Sequence, residues 1–187
     1  MCVIMLQPKG KTIDEDILVA GWRANPDGAG MAYVKDGKIV IDKGYMKLGD
    51  FLEARRKLDL SDTTALFHFR IRTHGLSDAE RTHPFAVGNA ALAHNGTLSC
   101  VEDDAVMSDT QIFIARYPKL FTSKELLRKE AAALGNYIAW SKFAVLFPDG
   151  DHVIINESYG SWVHGCWYSN TYWRAAASVL PAKRTNN

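Results

Sequence analysis

The chain has 187 residues, a length one hydrophobic core ordinarily serves, and its 47% hydrophobic, 23% charged and 11% aromatic residues exclude disordered, collagen-like and coiled-coil classes. Twenty-two Lys+Arg against 21 Asp+Glu leave a formal charge of +1, so a nucleic acid drawn to a strongly basic surface is not the expected partner. Cys2, Cys100 and Cys166 are odd in number and lack CxxC spacing, which argues against a disulfide framework or zinc ribbon and fits a reducing compartment.

The apolar start, Met1-Cys2-Val3-Ile4-Met5-Leu6, is too short for a signal segment or a membrane span, so a cytoplasmic protein without membrane contact is expected. Residues 30–34 and 38–41 flank Lys35-Asp36-Gly37 and predict a hairpin, because Asp-Gly supplies the positive φ of a tight turn. Phe51, Leu52, Arg55 and Leu58 recur at helical spacing and predict a helix over 49–58. Alternation predicts a strand over 64–72, with Ala65, Phe67, Phe69 and Ile71 on one face and Leu66, His68, Arg70 and Arg72 on the other. Residues 90–94 read as a short buried strand. Ser108-Asp109-Thr110-Gln111 opens a helix that Pro118 stops, and Thr122 or Ser123 caps another running towards Trp140. A second hairpin is expected over 143–147 and 152–156 around Pro148-Asp149-Gly150, and 161–169 reads as an aromatic strand. No repeat or linker interrupts the chain, so residues 1–187 are expected to form one α+β layered domain.

Four features carry chemistry. Removing Met1 would place a thiol and a free α-amine on Cys2. A thiol of pKa about 8.5 beside an amine of about 7.7–8 needs only about 1 kcal/mol to transfer its proton, so the amine can be the nucleophile's base. A buried structural cysteine is the plainer alternative. Asn95-Gly96 is either a tight turn or a pair of N–H donors converging on an oxyanion. Arg70 is either part of a solvated strand face or a clamp whose fork grips a carboxylate. Asp109 is a capped helix start that could also hold an ammonium group.

In order and spacing these features resemble the class II glutamine amidotransferase domain, the N-terminal nucleophile kind. The resemblance rests on Met1-Cys2, Asn25-Pro26-Asp27-Gly28-Ala29-Gly30, His68-Phe69-Arg70-Ile71-Arg72-Thr73-His74-Gly75, Thr82-His83-Pro84-Phe85, His94-Asn95-Gly96 and Ser108-Asp109-Thr110-Gln111. These motifs span residues 2–113; beyond them only the 143–156 hairpin matches, followed by the aromatic segment to 173. The resemblance implies a four-layer αββα sandwich and hydrolysis of the glutamine γ-amide through a thioester on Cys2. It implies Asn95 and Gly96 as oxyanion donors, Arg70 on the glutamine α-carboxylate with Thr73 and His74 in a closing loop, and Asp109 on the α-ammonium. Arg72 and His94 are further candidates. No cofactor is implied.

Arg72 departs from the family pattern, because many members have a small residue there. It either pairs with Asp78 or Glu80 or widens the pocket to a more acidic substrate. Family members usually fuse this domain to a synthase that consumes the ammonia, so a separate synthase is the expected partner. A stand-alone γ-glutamyl amide hydrolase and a catalytically silent interaction module stay open as alternatives, as does self-association. The compact form resembles ones in bacterial and bacteriophage genomes. His68, His74, His83 and His94 lack the spacing of a metal site, and none is expected. Trp162, Trp167, Tyr168, Tyr172 and Trp173 read as core or subunit interface rather than a stacking platform.

Overall fold

The computed structural model describes residues 2–71, 78–102, 104 and 106–177. Ten strands form two antiparallel sheets. The first contains β1 (Val3–Gln7), β2 (Ala29–Lys35), β3 (Lys38–Tyr45), β4 (Ala65–Phe69), β9 (Ser161–Val163) and β10 (Cys166–Tyr168), in the order β3-β2-β4-β1-β10-β9. The second contains β5 (Phe85–Val87), β6 (Ala90–Asn95), β7 (Lys142–Leu146) and β8 (His152–Ile155), in chain order. Helices α1 (Glu15–Ala24), α2 (Leu48–Arg56) and α5 (Trp173–Ala177) belong to the first sheet, and α3 (Asp109–Arg116) and α4 (Lys124–Tyr137) to the second.

Three apolar layers explain this arrangement. On one face of the first sheet, Val3, Met5, Phe67 and Phe69 pack with Leu18 of α1 and Phe51 of α2. On its other face, Ile4, Leu6, Ala32, Leu66 and Trp167 meet Ala91, Ala93, Ala144 and Leu146 of the second sheet. Behind the second sheet, Leu92, Phe143 and Val145 pack with Phe113 of α3 and Leu127 and Leu134 of α4. The result is the expected αββα sandwich. It also explains the unbroken Val3-Ile4-Met5-Leu6 run, since a strand buried on both faces has no solvent side to alternate towards.

Local chemistry fixes most boundaries. The first hairpin turns through Asp36 and Gly37 at φ 52° and 69° with Lys35 opposite Lys38, the two-residue turn that Asp-Gly predicts. Ser108 and Gln111 close a capping box on α3, and the Ser123 hydroxyl accepts from Leu126 N–H to start α4. β4 ends at Phe69, before the expected residue 72, because Arg70 bonds to a loop: its N–H donates to Gly28 O at 2.8 Å and its carbonyl accepts from Asp27 N–H at 2.9 Å.

Some elements lie outside the sequence expectations. Residues 161–169 form two strands, reversing at His164 and Gly165 with φ of 50° and 79°. Helices α1 and α5 and strand β5 were not among the expected elements. In α1 Ile17, Leu18, Gly21 and Trp22 recur at helical spacing as a regular apolar stripe, and a Cβ at Gly21 would sit 2.5 Å from Met5 Cε. Of the aromatic run, Trp167, Tyr168 and Trp173 are core, whereas Trp162 and Tyr172 are exposed. Among the described residues no helix is long and apolar enough to cross a membrane.

The alanines of β6 and β7 set the spacing between the sheets. Ala144→Leu should therefore overpack the layer against Ile4, Leu66 and Trp167 and cost about 1–3 kcal/mol. Urea unfolding checks it: the midpoint should fall while the slope stays constant.

Candidate active site

Cys2 precedes β1, whose Val3 pairs with Phe69, so Cys2 comes level with Arg70 at the end of β4. Its thiol donates to Ile71 O at 3.5 Å, and its carbonyl accepts from Asn170 Nδ2 at 2.7 Å. Burial pushes the thiol pKa up, while the Ile71 hydrogen bond and the nearby Arg70 charge pull the other way. Arg70 is itself buried, so the solvated-face alternative fails for this strand. The loop that holds its backbone turns at Gly28, φ 131°, where a Cβ would strike Thr82 Cγ2 at 2.7 Å.

The second sheet brings Asn95 and Gly96 to the same end. They close β6 rather than a hairpin, since Asn95 pairs with Lys142 of β7, far along the chain. Gly96 has φ 147°, and a Cβ there would fall 2.2 Å from Ser141 Oγ and 2.8 Å from Ser141 Cα. Only glycine fits. The Asn95 amide is fully buried and lies 2.7 Å from Ser169 Oγ, which accepts from Ile4 N–H at 2.9 Å.

A buried row of histidines lies beside these residues. His68 and His83 rings are 4.3 Å apart, and His83 and His94 rings 6.3 Å. Because the Thr110 hydroxyl donates to Asp109 Oδ1 at 3.1 Å, its lone pairs accept from His94 Nδ1–H at 2.8 Å and His83 Nε2–H at 3.2 Å. His68 Nε2–H donates to His94 O at 3.0 Å. Each ring is thereby assigned as a neutral tautomer. His68 Nδ1, His83 Nδ1 and His94 Nε2 are left as acceptors with no hydrogen-bond partner among the described residues. Burial lowers His68 to about 3 and His94 to about 4, with Asp109 opposing the shift of His94; it lowers His83 as well. Among the described residues no three His, Cys, Asp or Glu side chains are gathered as metal ligands would be.

Asp109 reaches this cluster from the first turn of α3. One carboxylate oxygen accepts from Leu98 N–H at 2.9 Å, and the other accepts from Thr110 N–H at 2.7 Å and lies 3.8 Å from His94 Nδ1. The adjacent residues Ser169 and Asn170 thus join the two halves, Asn170 bonding the Cys2 carbonyl and Ser169 both Ile4 and Asn95, while Thr110 bonds Asp109 and His94, the neighbour of Asn95. Arg72, Thr73 and His74 lie outside the described residues. Asp78, one acid considered for Arg72, engages the backbone and side chain of Arg81. Ser169 and Asn170 carried no signal in the sequence, because a Ser-Asn pair after an aromatic strand reads as an ordinary strand end.

Two facing antiparallel sheets with helices on their outer faces are the architecture of the N-terminal nucleophile hydrolases. Along 95% of its length the chain superposes on glutamine phosphoribosylpyrophosphate amidotransferase from B. subtilis, with a TM-score of 0.56 and 18% identity, covering 44% of that chain. A structure described as the allosteric regulatory enzyme of purine biosynthesis gives a TM-score of 0.55 at 17% identity, with 95% of this chain and 43% of that one covered. In sequence, glutamine–fructose-6-phosphate aminotransferase (isomerizing) of Aquifex aeolicus is 34% identical over 74 residues, 38% of this chain and 12% of that protein. The Pyrococcus horikoshii enzyme of the same name is 30% identical over 89 residues, 44% of this chain and 15% of that protein. The chain thus spans 12–15% of the length of these two relatives. No family model matches. The sequence relatives and the structural neighbours both support the resemblance to a class II glutamine amidotransferase domain, the sequences over less than half of this chain and the structures in fold.

The buried histidines give the protein a distinctive pH response. Histidines of the unfolded chain titrate near pH 6.5, whereas these three stay neutral well below it, so the unfolded state binds more protons as pH falls. Stability should be complete above about pH 7 and decline from about pH 6.5 towards pH 4, at up to about 1.4 kcal/mol per pH unit for each histidine. Urea unfolding at pH 7.5, 6 and 5 reads this; equal stability at all three would contradict neutral burial.

Proposed function

We propose that the chain hydrolyses the γ-amide of glutamine through Cys2 and supplies the ammonia to a separate acceptor enzyme. The observation that carries this reading is the convergence of the Cys2 thiol, the buried Arg70 guanidinium and the buried Asn95 amide from two facing sheets. Glutamine presents a carboxylate, an ammonium and an amide; the site offers a cation, an anion and a nucleophile with adjacent donors.

Chemistry starts once Met1 is removed and Cys2 bears a free amine. That amine takes the thiol proton, which burial alone would hold in place, and the thiolate attacks the γ-carbonyl. The tetrahedral oxyanion receives hydrogen bonds from the Asn95 side chain and the Gly96 N–H, a donor pair of which each member is typically worth about 3–4 kcal/mol. The Cys2 ammonium then protonates the departing nitrogen as the C–N bond breaks, releasing ammonia and leaving a thioester. Water, deprotonated by the same amine, cleaves the thioester to glutamate and restores the thiol. Arg70 grips the α-carboxylate. Asp109, whose oxygens are already oriented by Leu98 and Thr110, receives the α-ammonium. His94 stays neutral and helps orient Asp109 through the Thr110 hydroxyl that both contact.

Purified protein whose intact mass shows loss of Met1 should release glutamate from glutamine, and Cys2→Ala should abolish that release with the melting temperature nearly unchanged. Turnover surviving in Cys2→Ala refutes the mechanism; absence of release from processed wild type favours a silent interaction module.

Specificity tests the α-ammonium contact. Wild type should discriminate against N-acetylglutamine, and Asp109→Asn should lose much of that preference while weakening glutamine capture. Equal kcat/KM for the two substrates in wild type would remove Asp109 from the role.

A further inference from the structure

Ser169 lies outside every motif that carried the resemblance, yet it sits where the two sheets' contributions meet. Its hydroxyl accepts from Ile4 N–H at 2.9 Å, its own N–H donates to Ile4 O at 3.0 Å, and Asn95 of the facing sheet approaches the hydroxyl at 2.7 Å. Both Ser169 and Asn95 are 0% exposed. The next residue, Asn170, holds the Cys2 carbonyl.

Protons decide which way the Asn95 amide must face. A serine hydroxyl has one proton and two lone pairs. With Nδ2 turned to Ser169, the hydroxyl accepts two N–H groups, its own proton has no acceptor among the described residues, and Asn95 Oδ1 is buried without a partner. The amide's O and N have nearly the same shape, so rotating the group by 180° changes only the hydrogen bonding. Ser169 Oγ–H then donates to Oδ1, Oγ still accepts from Ile4, and the atom at the unpartnered position becomes Nδ2. An unpartnered acceptor there would repel a developing oxyanion; an unpartnered donor is what stabilises one.

We propose that Ser169 is a positioning residue: its hydroxyl, held by Ile4 N–H, donates to Asn95 Oδ1 and so presents Nδ2 to the oxyanion formed on attack by Cys2. This rests on the glutamine-hydrolysis reading and deepens it. The hydrogen bond from Ile4 lies two residues along the chain from the nucleophile, so the strand that Cys2 leads into also sets the proton arrangement that orients its oxyanion donor.

The test uses Met-processed full-length protein. Ser169→Ala should lower kcat about tenfold or more with KM for glutamine within about twofold, because the donor acts in the transition state rather than in substrate capture. Alkylation of Cys2 by iodoacetamide, which forms no oxyanion, should proceed at the wild-type rate. In an Asn95→Ala background, adding Ser169→Ala should lower kcat no further. A full independent loss in the double variant, or a loss confined to KM, would overturn the proposal. NMR reads the amide without reference to turnover. A strong cross-peak between the Asn95 side-chain NH2 protons and Ser169 Hβ overturns the proposed orientation, and its absence supports it. If processed wild type releases no glutamate, the functional reading fails, whereas the NMR result still stands on its own.

Discussion

Face-to-face packing of two antiparallel sheets governs this protein, because the candidate site has one half on each. Ile4, Leu6, Leu66 and Trp167 of the first sheet settle against the alanines of β6 and β7, and that closeness brings the Asn95 amide to Ser169. Cys2 and Arg70 arrive on adjacent antiparallel strands, and Asn95-Gly96 on the opposing layer. A shift of one residue in the β1–β4 register would reverse which side chains of β1 face the helices and which face the second sheet, and would separate Cys2 from Arg70. The apolar pattern of both strands opposes such a shift: each presents large residues to both layers, but of different shapes.

Burying so many polar groups at one end of the sandwich would be costly without an ordered network. Thr110 resolves most of it, since one hydroxyl serves two histidines and Asp109 together. The histidines remain neutral, so Arg70 is not opposed by buried imidazolium charge. Their remaining acceptor nitrogens are less demanding than orphaned N–H groups would be. The chain from His68 through His94 and Thr110 to Asp109 crosses from one sheet to the other and on to α3. It therefore holds Asp109 in a fixed relation to the strand that leads into Arg70.

Glycine also admits a close approach within the first sheet. Gly30 of β2 faces His83 O and Lys43, where a Cβ would come within 2.3 Å of the carbonyl. Lys43 in turn donates to Glu80 O and Thr82 O at 2.9 Å and lies 4.2 Å from the Phe85 ring centre. Burial lowers its pKa to about 8. These contacts bind the segment before β5 to the first sheet and carry His83 into the histidine row.

Short-range chemistry made much of the protein legible in advance. The Asp36-Gly37 hairpin, the Ser108–Gln111 helix start, a cap at Thr122 or Ser123 that the structure assigns to Ser123, and the hairpin around Pro148-Asp149-Gly150 each depend on a few adjacent residues and could be read from the sequence. The order and spacing of the Cys2, Arg70, Asn95-Gly96 and Asp109 motifs likewise pointed to the amidotransferase class. Contacts between distant residues were another matter. Whether the Arg70 face was solvated or buried depended on a second sheet covering it, and whether Asn95-Gly96 was a turn depended on a strand partner 47 residues away. Helix α1 carries an apolar face of its own, including Leu18 and Trp22, on which Gly21 admits the close approach of Met5 and Phe69. Ser169 and Asn170 gained their meaning only when β10 closed against β1, since a hydroxyl or amide acquires a role from the donors and acceptors folding brings within 3 Å of it.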